Sequence, residues 1–491
     1  MAIRRLHVEG FRSIDDIDLT LGELNALIGP NNAGKSNILR ALNLVIGETW
    51  PIRPFTPSDR HNHDLAREII ITVTFDRPLA ADADVRGFRL TYGRDESVEY
   101  VPIDDAGDIC RYPGGRDKRV TAPMRDGAAM LLVGLDRQAD RQLRASQWTL
   151  YGKLLRRIER DVTQVHRDAF SADVARSIQT NLQAALTPVQ TVLQEFVRRQ
   201  TGLRSELRFR AVDPLDVLRD VRPCIIDGGA FDVDDVGAGV QSAVTIAIAK
   251  AYADHVRAPV LIAIEEPELF LHPHGCRHFY RLLNEITGPH LQIIYTTHNR
   301  AFVNAGEFEQ VHLVRKRDGQ TEVTSGSRLE YAGARDRLRL QTRFNERISE
   351  ALFANVVVLT EGEPDEIAVR CAVENQGLQL DQDSVSVLGV GGKTEVMVLA
   401  ELISAFGVPT IAVLDEDPGD AASAANLARV QATISNANVF IQTPNLEGLV
   451  GLASKPSKVE AMLDFPHRFR AGQAVPLVYQ DLAARIRALL A

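Results

Sequence analysis

The sequence predicts an α/β protein in which parallel-sheet units stand on both sides of about residue 345. Three observations predict it. Continuous apolar runs at 24–28, 260–264, 291–296, 356–359 and 410–414 have the length of strands buried on both faces. Helix-length segments alternate with these runs, as in doubly wound sheets. The composition, 45% hydrophobic and 25% charged over 491 residues, is that of a globular chain with more than one core. It excludes disordered, fibrous and collagen-like classes.

In chain order, residues 2–8 and 14–19 alternate in polarity and read as half-buried strands, and 24–28 reads as a buried strand ending at glycine. A helix is expected over 35–46, a loop rich in Pro, His and Asp over 47–63, and strands at 68–75 and 87–92. From about residue 135 the pattern turns helical, at 150–158 and again at 174–199, where Leu182, Leu186, Val189, Val192 and Val197 fall near helical spacing. A strand is expected at 206–212. After residue 343 come a strand at 356–359, a helix at 364–375, a strand at 384–388, a helix at 394–406 and a strand at 410–414.

The net charge of −9 argues against a simple basic nucleic-acid binder, but the charge is uneven. Residues 131–210 hold 14 Lys and Arg against 8 Asp and Glu, whereas 351–491 hold 9 against 17. The four cysteines are scattered and form no CxxC pair, which points away from a disulfide framework or a cysteine zinc site. No apolar run has membrane-spanning length and the first residues carry no apolar leader, so the expectation is a cytoplasmic protein with no membrane partner.

Gly29, Pro30, Asn31, Asn32, Ala33, Gly34, Lys35 and Ser36 match the phosphate-binding loop GxxxxGK[ST], between a strand and a helix as that loop requires. Its backbone N–H groups and helix N-terminus suit phosphate oxygens. Lys35 is placed to reach the β- and γ-phosphates of ATP, and the Ser36 hydroxyl to bind Mg²⁺. The strand at 260–264 ends in Glu265 and Glu266. The first occupies the metal-side position, and the second is placed to orient or deprotonate an attacking water. Gly239, Gln241 and Ser242 open a helical stretch that suits a phosphate. Thr296, Thr297 and His298 end the next strand and bring an imidazole toward the γ-phosphate.

A second constellation is acidic. The strand at 356–359 leads into Glu361, Gly362, Glu363, Pro364 and Asp365. The strand at 410–414 delivers Asp415, Glu416 and Asp417, and a glycine-rich stretch at 389–393 lies between. On an extended chain Asp415 and Asp417 share a face. Parallel sheets gather ligands at the carboxyl ends of their strands. Carboxylates meeting there need divalent cations, and oxygen-only ligands suit Mg²⁺ or Mn²⁺. Two such ions would clamp a phosphodiester for attack by water. Singly, EGxxD and DxD are weak patterns. Two acidic strand ends with glycines between them are stronger.

These motifs carry a resemblance. The order P-loop, GxGxQS, EEPE with LHP, and TTH, with the opening VEGFRSIDDIDLTLGELNALIGPNNAGKS, resembles an ABC-type ATPase head of the structural-maintenance-of-chromosomes and RecF branch. EGxxD followed by DxD resembles a Toprim domain. Together they resemble the OLD (overcoming lysogenization defect) family of nucleases, including Gabija-type antiphage ATPases. The implied fold class is α/β, an ABC/SMC-type P-loop ATPase head interrupted by a helical dimerisation insertion and followed by a C-terminal Toprim domain. The implied boundaries are 1–135 and 206–342 for the ATPase, 136–205 for the insertion and 343–491 for the Toprim domain. The resemblance implies that Gly239 to Ser242 face a nucleotide held by a second protomer, hence a homodimer or higher homo-oligomer. It also implies that Glu447 completes the metal site and that Lys455 stabilises charge on the scissile phosphate, with Lys458 and Lys393 as rivals. The chain carries Asn299 and Arg300 where the family has Ser-Pro.

The activity implied is an ATP-regulated, Mg²⁺- or Mn²⁺-dependent DNA endonuclease, in phage defence or DNA repair. The alternative is an ATP-gated DNA-binding or repair ATPase, or a sensor that recruits an effector protein, with a Toprim domain that does not cut. Topoisomerase chemistry lacks a tyrosine in a recognisable context. Arg60, His61, Asn62, His63 and Asp64 spell an HNH triplet but lie in a loop without the ββα setting such a nuclease needs. His274 and His278 read as exposed helix residues rather than zinc ligands.

Overall fold

The structure is a computed structural model that describes residues 2–47, 49–51, 54–135, 149–181, 183–204, 217, 220–256, 260–288, 291–303, 305–328, 349–416, 421–470 and 474–490. The strand expected at 206–212 lies outside the described residues, as do Leu182 and Asp417. By packing, the chain divides into two compact units, Met1–Leu132 with Ala263–Ala491, and Val133–Ile262.

Strands β1 (Ile3–Phe11), β2 (Ile14–Thr20), β4 (Ile69–Phe75), β5 (Gly87–Tyr92) and β6 (Val98–Ile103) form an antiparallel sheet in the order β2-β1-β4-β5-β6. Their alternation buries one face, as period-2 patterning dictates. Strand β6 was not anticipated, because Val98, Glu99 and Tyr100 do not alternate cleanly. A second sheet runs β13-β12-β3-β11-β10-β7, with β3 at Leu24–Ile28, β7 at Ala129–Val133, β10 at Val260–Glu265, β11 at Leu291–Thr297, β12 at Val311–Arg317 and β13 at Gln320–Ser325. Strands β11 and β12 flank β3 in parallel. Every residue of β3 and β11 is buried, which is why both read as apolar runs.

Helix α1 (Lys35–Ile46) follows β3, α2 is the short Ala122–Asp126, and within the second unit lie α3 (Leu150–Asp161), α4 (Gln164–Asn181), α5 (Gln183–Thr201) and α6 (Ala238–Val256). The helix expected at 174–199 is helical on both sides of position 182, which lies outside the described residues. Helix α3 packs against α6, and a short hairpin joins β8 (Cys224–Ile226) to β9 (Ala230–Asp232). Returning to the first unit, α7 (Pro273–Ile286) lies between β10 and β11 in the chain.

The four-stranded sheet that follows is wholly parallel. Its order is β15-β14-β16-β17, with β14 at Val356–Thr360, β15 at Val385–Gly389, β16 at Thr410–Asp415 and β17 at Val439–Gln442. Helices α8 (Glu363–Asn375), α9 (Lys393–Ala405), α10 (Ala421–Thr433), α11 (Leu446–Val450), α12 (Lys458–Arg468) and α13 (Leu477–Leu490) accompany it. Val356, Val358, Val369, Val373, Phe465, Tyr479 and Leu482 belong to one buried core.

The HNH triplet is structural. Arg60 is 1% exposed, its guanidinium lies 4.4 Å over the Tyr92 ring, and it donates to the carbonyls of Gly93 and Arg67. His61 is buried against the Arg12 carbonyl. Arg60→Ala removes this packing and strands two carbonyls, so a loss of roughly 2–4 kcal/mol is expected, read as a lowered thermal unfolding midpoint. A melt unchanged by that substitution contradicts the assignment.

Candidate active sites

The nucleotide site begins with backbone sterics. Gly29 (φ +138°) and Gly34 (φ +109°) occupy the left-handed side of φ space. A Cβ on Gly29 would stand 1.9 Å from the Val314 carbonyl oxygen, and one on Gly34 would stand 2.2 Å from Thr321 Oγ1. The loop can wrap only with glycine at both positions. Lys35 at the start of α1 is buried and donates to the carbonyls of Gly29 and Pro30, each at 2.8 Å. Burial lowers its ammonium to about 8, against the pull of Glu266 and Glu268. Ser36, Asn31 and Asn32 are exposed, and Ala33 is buried.

Strand β10 brings Glu265 and Glu266 to the same end of the sheet. Glu266 sits at φ +46°, its N–H held by the Thr296 carbonyl at 3.0 Å. The His298 imidazole stands 3.6 Å from the Glu266 carboxylate. Burial and the neighbouring Lys35 hold that imidazole below its ordinary value. In the departure from the family's Ser-Pro, Asn299 accepts from the Ala301 N–H and caps a short turn, and Arg300 pairs with Glu350 at 2.7 Å. In the second unit, Gly239 lies in the first turn of α6. Gln241 donates to the Val236 carbonyl at 2.9 Å, and Ser242 is buried.

Sequence reasoning gave Glu268, Ser13, Thr321 and Asp59 no role. Glu268 accepts from Thr297 Oγ1 at 2.7 Å and from the His298 N–H at 2.9 Å, and burial raises its carboxyl. It therefore orients the histidine's backbone. Ser13 Oγ meets Thr321 Oγ1 at 2.7 Å, and Thr321 Oγ1 donates to the Ala33 carbonyl. This chain ties the first hairpin to the phosphate loop through Thr321, 308 positions from Ser13, so no local pattern could have announced it. Arg12 pairs with Asp59 at 2.8 Å.

The acidic site lies at the carboxyl ends of β14, β16 and β17, as the pairing of Thr360 with Val413 and of Asp415 with Gln442 requires. Asp365, in the first turn of α8, is wholly buried. It accepts from the Gly362 N–H at 3.1 Å and from Gln442 Nε2 at 3.1 Å. Asp415 accepts from Gln442 Nε2 at 3.0 Å and from the Leu446 N–H at 2.9 Å. Glu361 accepts from the Asp415 N–H at 2.7 Å, with Lys393 Nζ 3.6 Å away. Lys455 Nζ stands 3.2 Å from Asp365 Oδ2 and 3.8 Å from Asp415 Oδ2. Burial opposes the charge on Lys455, but the carboxylates of Asp365 and Asp415 hold it above its ordinary value.

Of the rival lysines, Lys458 pairs with Glu363 at 2.7 Å on the surface, and Lys393 stands at Glu361. Glu447 is half-buried in α11, directly after the residue whose N–H binds Asp415. Among the described residues, no three His, Cys, Asp or Glu side chains stand in a metal-holding group. The donor set nonetheless suits a hard divalent ion, because the Oδ2 atoms of Asp365 and Asp415 already share one cation, the Lys455 ammonium. Gln442 and Tyr479 were not anticipated. A glutamine ending a strand and a tyrosine in an amphipathic helix carry no pattern that singles them out.

A P-loop sheet with a paired-glutamate strand, followed by a parallel sheet with carboxylates at its rim, defines an ATPase joined to a Toprim domain. A model of the AAA ATPase domain matches residues 1–97 and 127–303. A model described as "Overcoming lysogenization defect protein-like, TOPRIM domain" matches residues 352–417. The chain is 32% identical to the OLD nuclease of Thermus scotoductus, over 94% of each chain. It is 21% identical to the Old nuclease of Escherichia phage P2, over 84% of this chain and 76% of that one. It is 23% identical to the endonuclease GajA of Bacillus cereus strain VD045, over 80% and 71%. This chain belongs to the OLD nuclease family.

Two outcomes are expected. Lys35→Ala lowers nucleotide affinity by roughly 100-fold or more in a fluorescent-nucleotide titration, since it removes the loop's charged phosphate donor. Near-wild-type binding contradicts the assignment. The second concerns Glu361, whose carboxyl burial pushes up to about 7 from an ordinary 4.5. Its folded value lies above the unfolded one, so its contribution to stability is fully present below the unfolded value and is lost as pH rises through about 7. In metal-free protein, Glu361→Gln thus raises the unfolding free energy at about pH 8, by on the order of 2–3 kcal/mol, and much less at about pH 5. Equal shifts at both pH values contradict it.

Proposed function

We propose that this protein is an ATP-binding and ATP-hydrolysing DNA endonuclease that needs Mg²⁺ or Mn²⁺ and cleaves phosphodiester bonds at a two-metal Toprim site. One observation carries the reading. Glu361, Asp365 and Asp415, from two strand ends and a helix start, converge on one rim of a parallel sheet with Lys455 beside them. In this reading Glu361, Asp365, Asp415, Asp417 and Glu447 hold the ions. When bound, the ions supply Lewis-acid stabilisation of the phosphodiester and lower the pKa of water. Lys455 then turns its ammonium from the aspartates to the scissile phosphate, and Glu361 and Asp415 serve as catalytic carboxylates. The net charge of −9 opposes DNA, so binding relies on these cations and on exposed arginines such as Arg198, Arg199 and Arg204.

In the ATPase, Asn31, Asn32, Ala33, Gly34 and Lys35 cradle the phosphates, and Ser36 and Glu265 hold Mg²⁺. Glu266 orients the attacking water, and His298 faces the γ-phosphate. Gly239, Gln241 and Ser242 meet the nucleotide of a second protomer. The proposed divisions are an ATPase of 1–135 and 206–342, a dimerisation insertion of 136–205 and a Toprim domain of 343–491. Exposed Val189, Val192 and Phe196 on α5 support self-association of the insertion. The OLD and GajA names of the relatives support a nuclease. A role in phage defence or DNA repair, with or without an effector protein, extends the family reading, and a cytoplasmic location suits it. Among the described residues no helix is long and apolar enough to cross a membrane.

Plasmid nicking tests the reading. Wild type nicks supercoiled DNA with Mn²⁺, and Asp415→Ala loses at least about 100-fold in rate while keeping ATP binding. If wild type never nicks with Mg²⁺, Mn²⁺ or Ca²⁺, with or without ATP, the alternative of an ATP-gated DNA-binding ATPase with a non-cutting Toprim domain takes its place.

A further inference from the structure

We infer that Gln442 and Tyr479 are a positioning pair that aims the Asp365 and Asp415 carboxylates and thereby sets the protein's affinity for divalent ions. The inference rests on the metal-site reading above and assigns to that site two residues that coordinate nothing.

Gln442 closes β17 directly opposite Asp415 in the parallel register. Its side chain is wholly buried. A primary amide has two N–H groups, and here they reach two different acids, Asp365 Oδ1 at 3.1 Å and Asp415 Oδ1 at 3.0 Å. The amide carbonyl accepts from the Tyr479 hydroxyl. Tyr479, on α13, is itself wholly buried, and burial keeps its phenol protonated and so able to donate.

The amide cannot turn over without cost. Reversed, it would aim a carbonyl oxygen at two carboxylates and leave the tyrosine facing an N–H₂ group. The hydroxyl proton and the two acids therefore select one orientation together. That orientation ties up Oδ1 of each aspartate on the inner side. It leaves Oδ2 of each directed at the Lys455 ammonium, at 3.2 and 3.8 Å. One amide thus decides which oxygen each acid presents where a cation sits. The terminal torsion of an aspartate is broad, so this tie narrows the range each carboxylate can adopt. Asp415 keeps a second anchor in the Leu446 N–H, and Asp365 keeps the Gly362 N–H. The pair's own contribution is to couple the two acids to each other.

Partners of this kind set metal affinity, and removing one costs roughly 10- to 100-fold. The test uses the full chain, free of nucleotide and DNA, with Mn²⁺ as the probe and the free ion counted by electron paramagnetic resonance. Tyr479→Phe, which removes one oxygen, and Gln442→Met, which keeps the volume but cannot hydrogen-bond, should each weaken Mn²⁺ binding by about tenfold or more. Asp415→Ala serves as the reference that loses binding. In nicking, the half-saturating Mn²⁺ concentration should rise by a similar factor, and the rate deficit should narrow as Mn²⁺ is raised. A purely structural role predicts the opposite pattern, a lowered melting temperature and a rate reduced equally at all Mn²⁺ concentrations, and that pattern overturns the inference. It also fails, with the metal site left standing, if both variants bind Mn²⁺ within about twofold of wild type while Asp415→Ala loses it. If wild type binds no Mn²⁺, or Asp415→Ala binds it equally well, the metal-site reading and this inference fall together. Should Tyr479→Phe not fold, Gln442→Met carries the same comparison.

Discussion

Two buried carboxylates brought to one amide repel each other, and the Toprim half of this protein is organised around that repulsion. Asp365 and Asp415 share the Gln442 side chain and face the Lys455 ammonium. Neither acid could be held there by apolar packing alone, because a buried charge without a partner costs several kcal/mol. The elements around them answer this cost. Strand β14 ends so that Gly362 can donate to Asp365, α11 begins so that Leu446 can donate to Asp415, and β17 ends on the amide that joins them. A site built this way draws in positive charge, as the Lys455 ammonium shows.

The ATPase half meets the inverse problem. There the buried charge is a cation, Lys35, whose ammonium donates to the Gly29 and Pro30 carbonyls. Burial lowers its pKa, and Glu266 and Glu268 oppose that shift. Glu268, buried and bonded to Thr297 and His298, links the paired-glutamate strand to the histidine at the end of β11. Both halves hold a buried charged group among partners that satisfy it. An ATPase and a nuclease in one chain thus use the same principle with the signs exchanged.

The two sites differ in how much of them could be read from residue order. The phosphate loop was legible because its chemistry is local. Gly29 and Gly34 both take positive φ, and Lys35 follows the second at once. The acidic strand ends were legible in part, since apolar runs announced β14 and β16 and the acids came directly after them. Lys455 entered through family resemblance, and its ammonium lies 3.2 Å from Asp365 Oδ2; its role is a proposal. Glu447 shares a helix turn with the Asp415 anchor, but among the described residues no side-chain tie to the other acids accompanies it.

Residue order settled the apolar-run strands such as β3, β10, β14 and β16, the glycine-bounded loop and which acids end those strands, because these depend on side-chain period and on contacts a few positions apart. It was silent on Ser13 and Thr321, on Glu268, and on Gln442 with Tyr479. Each of those acts through partners tens to hundreds of positions away, and a hydrogen bond leaves no periodicity behind. Folding alone placed a glutamine amide opposite Asp415 and a phenol against that amide, since strand register and helix docking, not composition, determine which polar atoms meet.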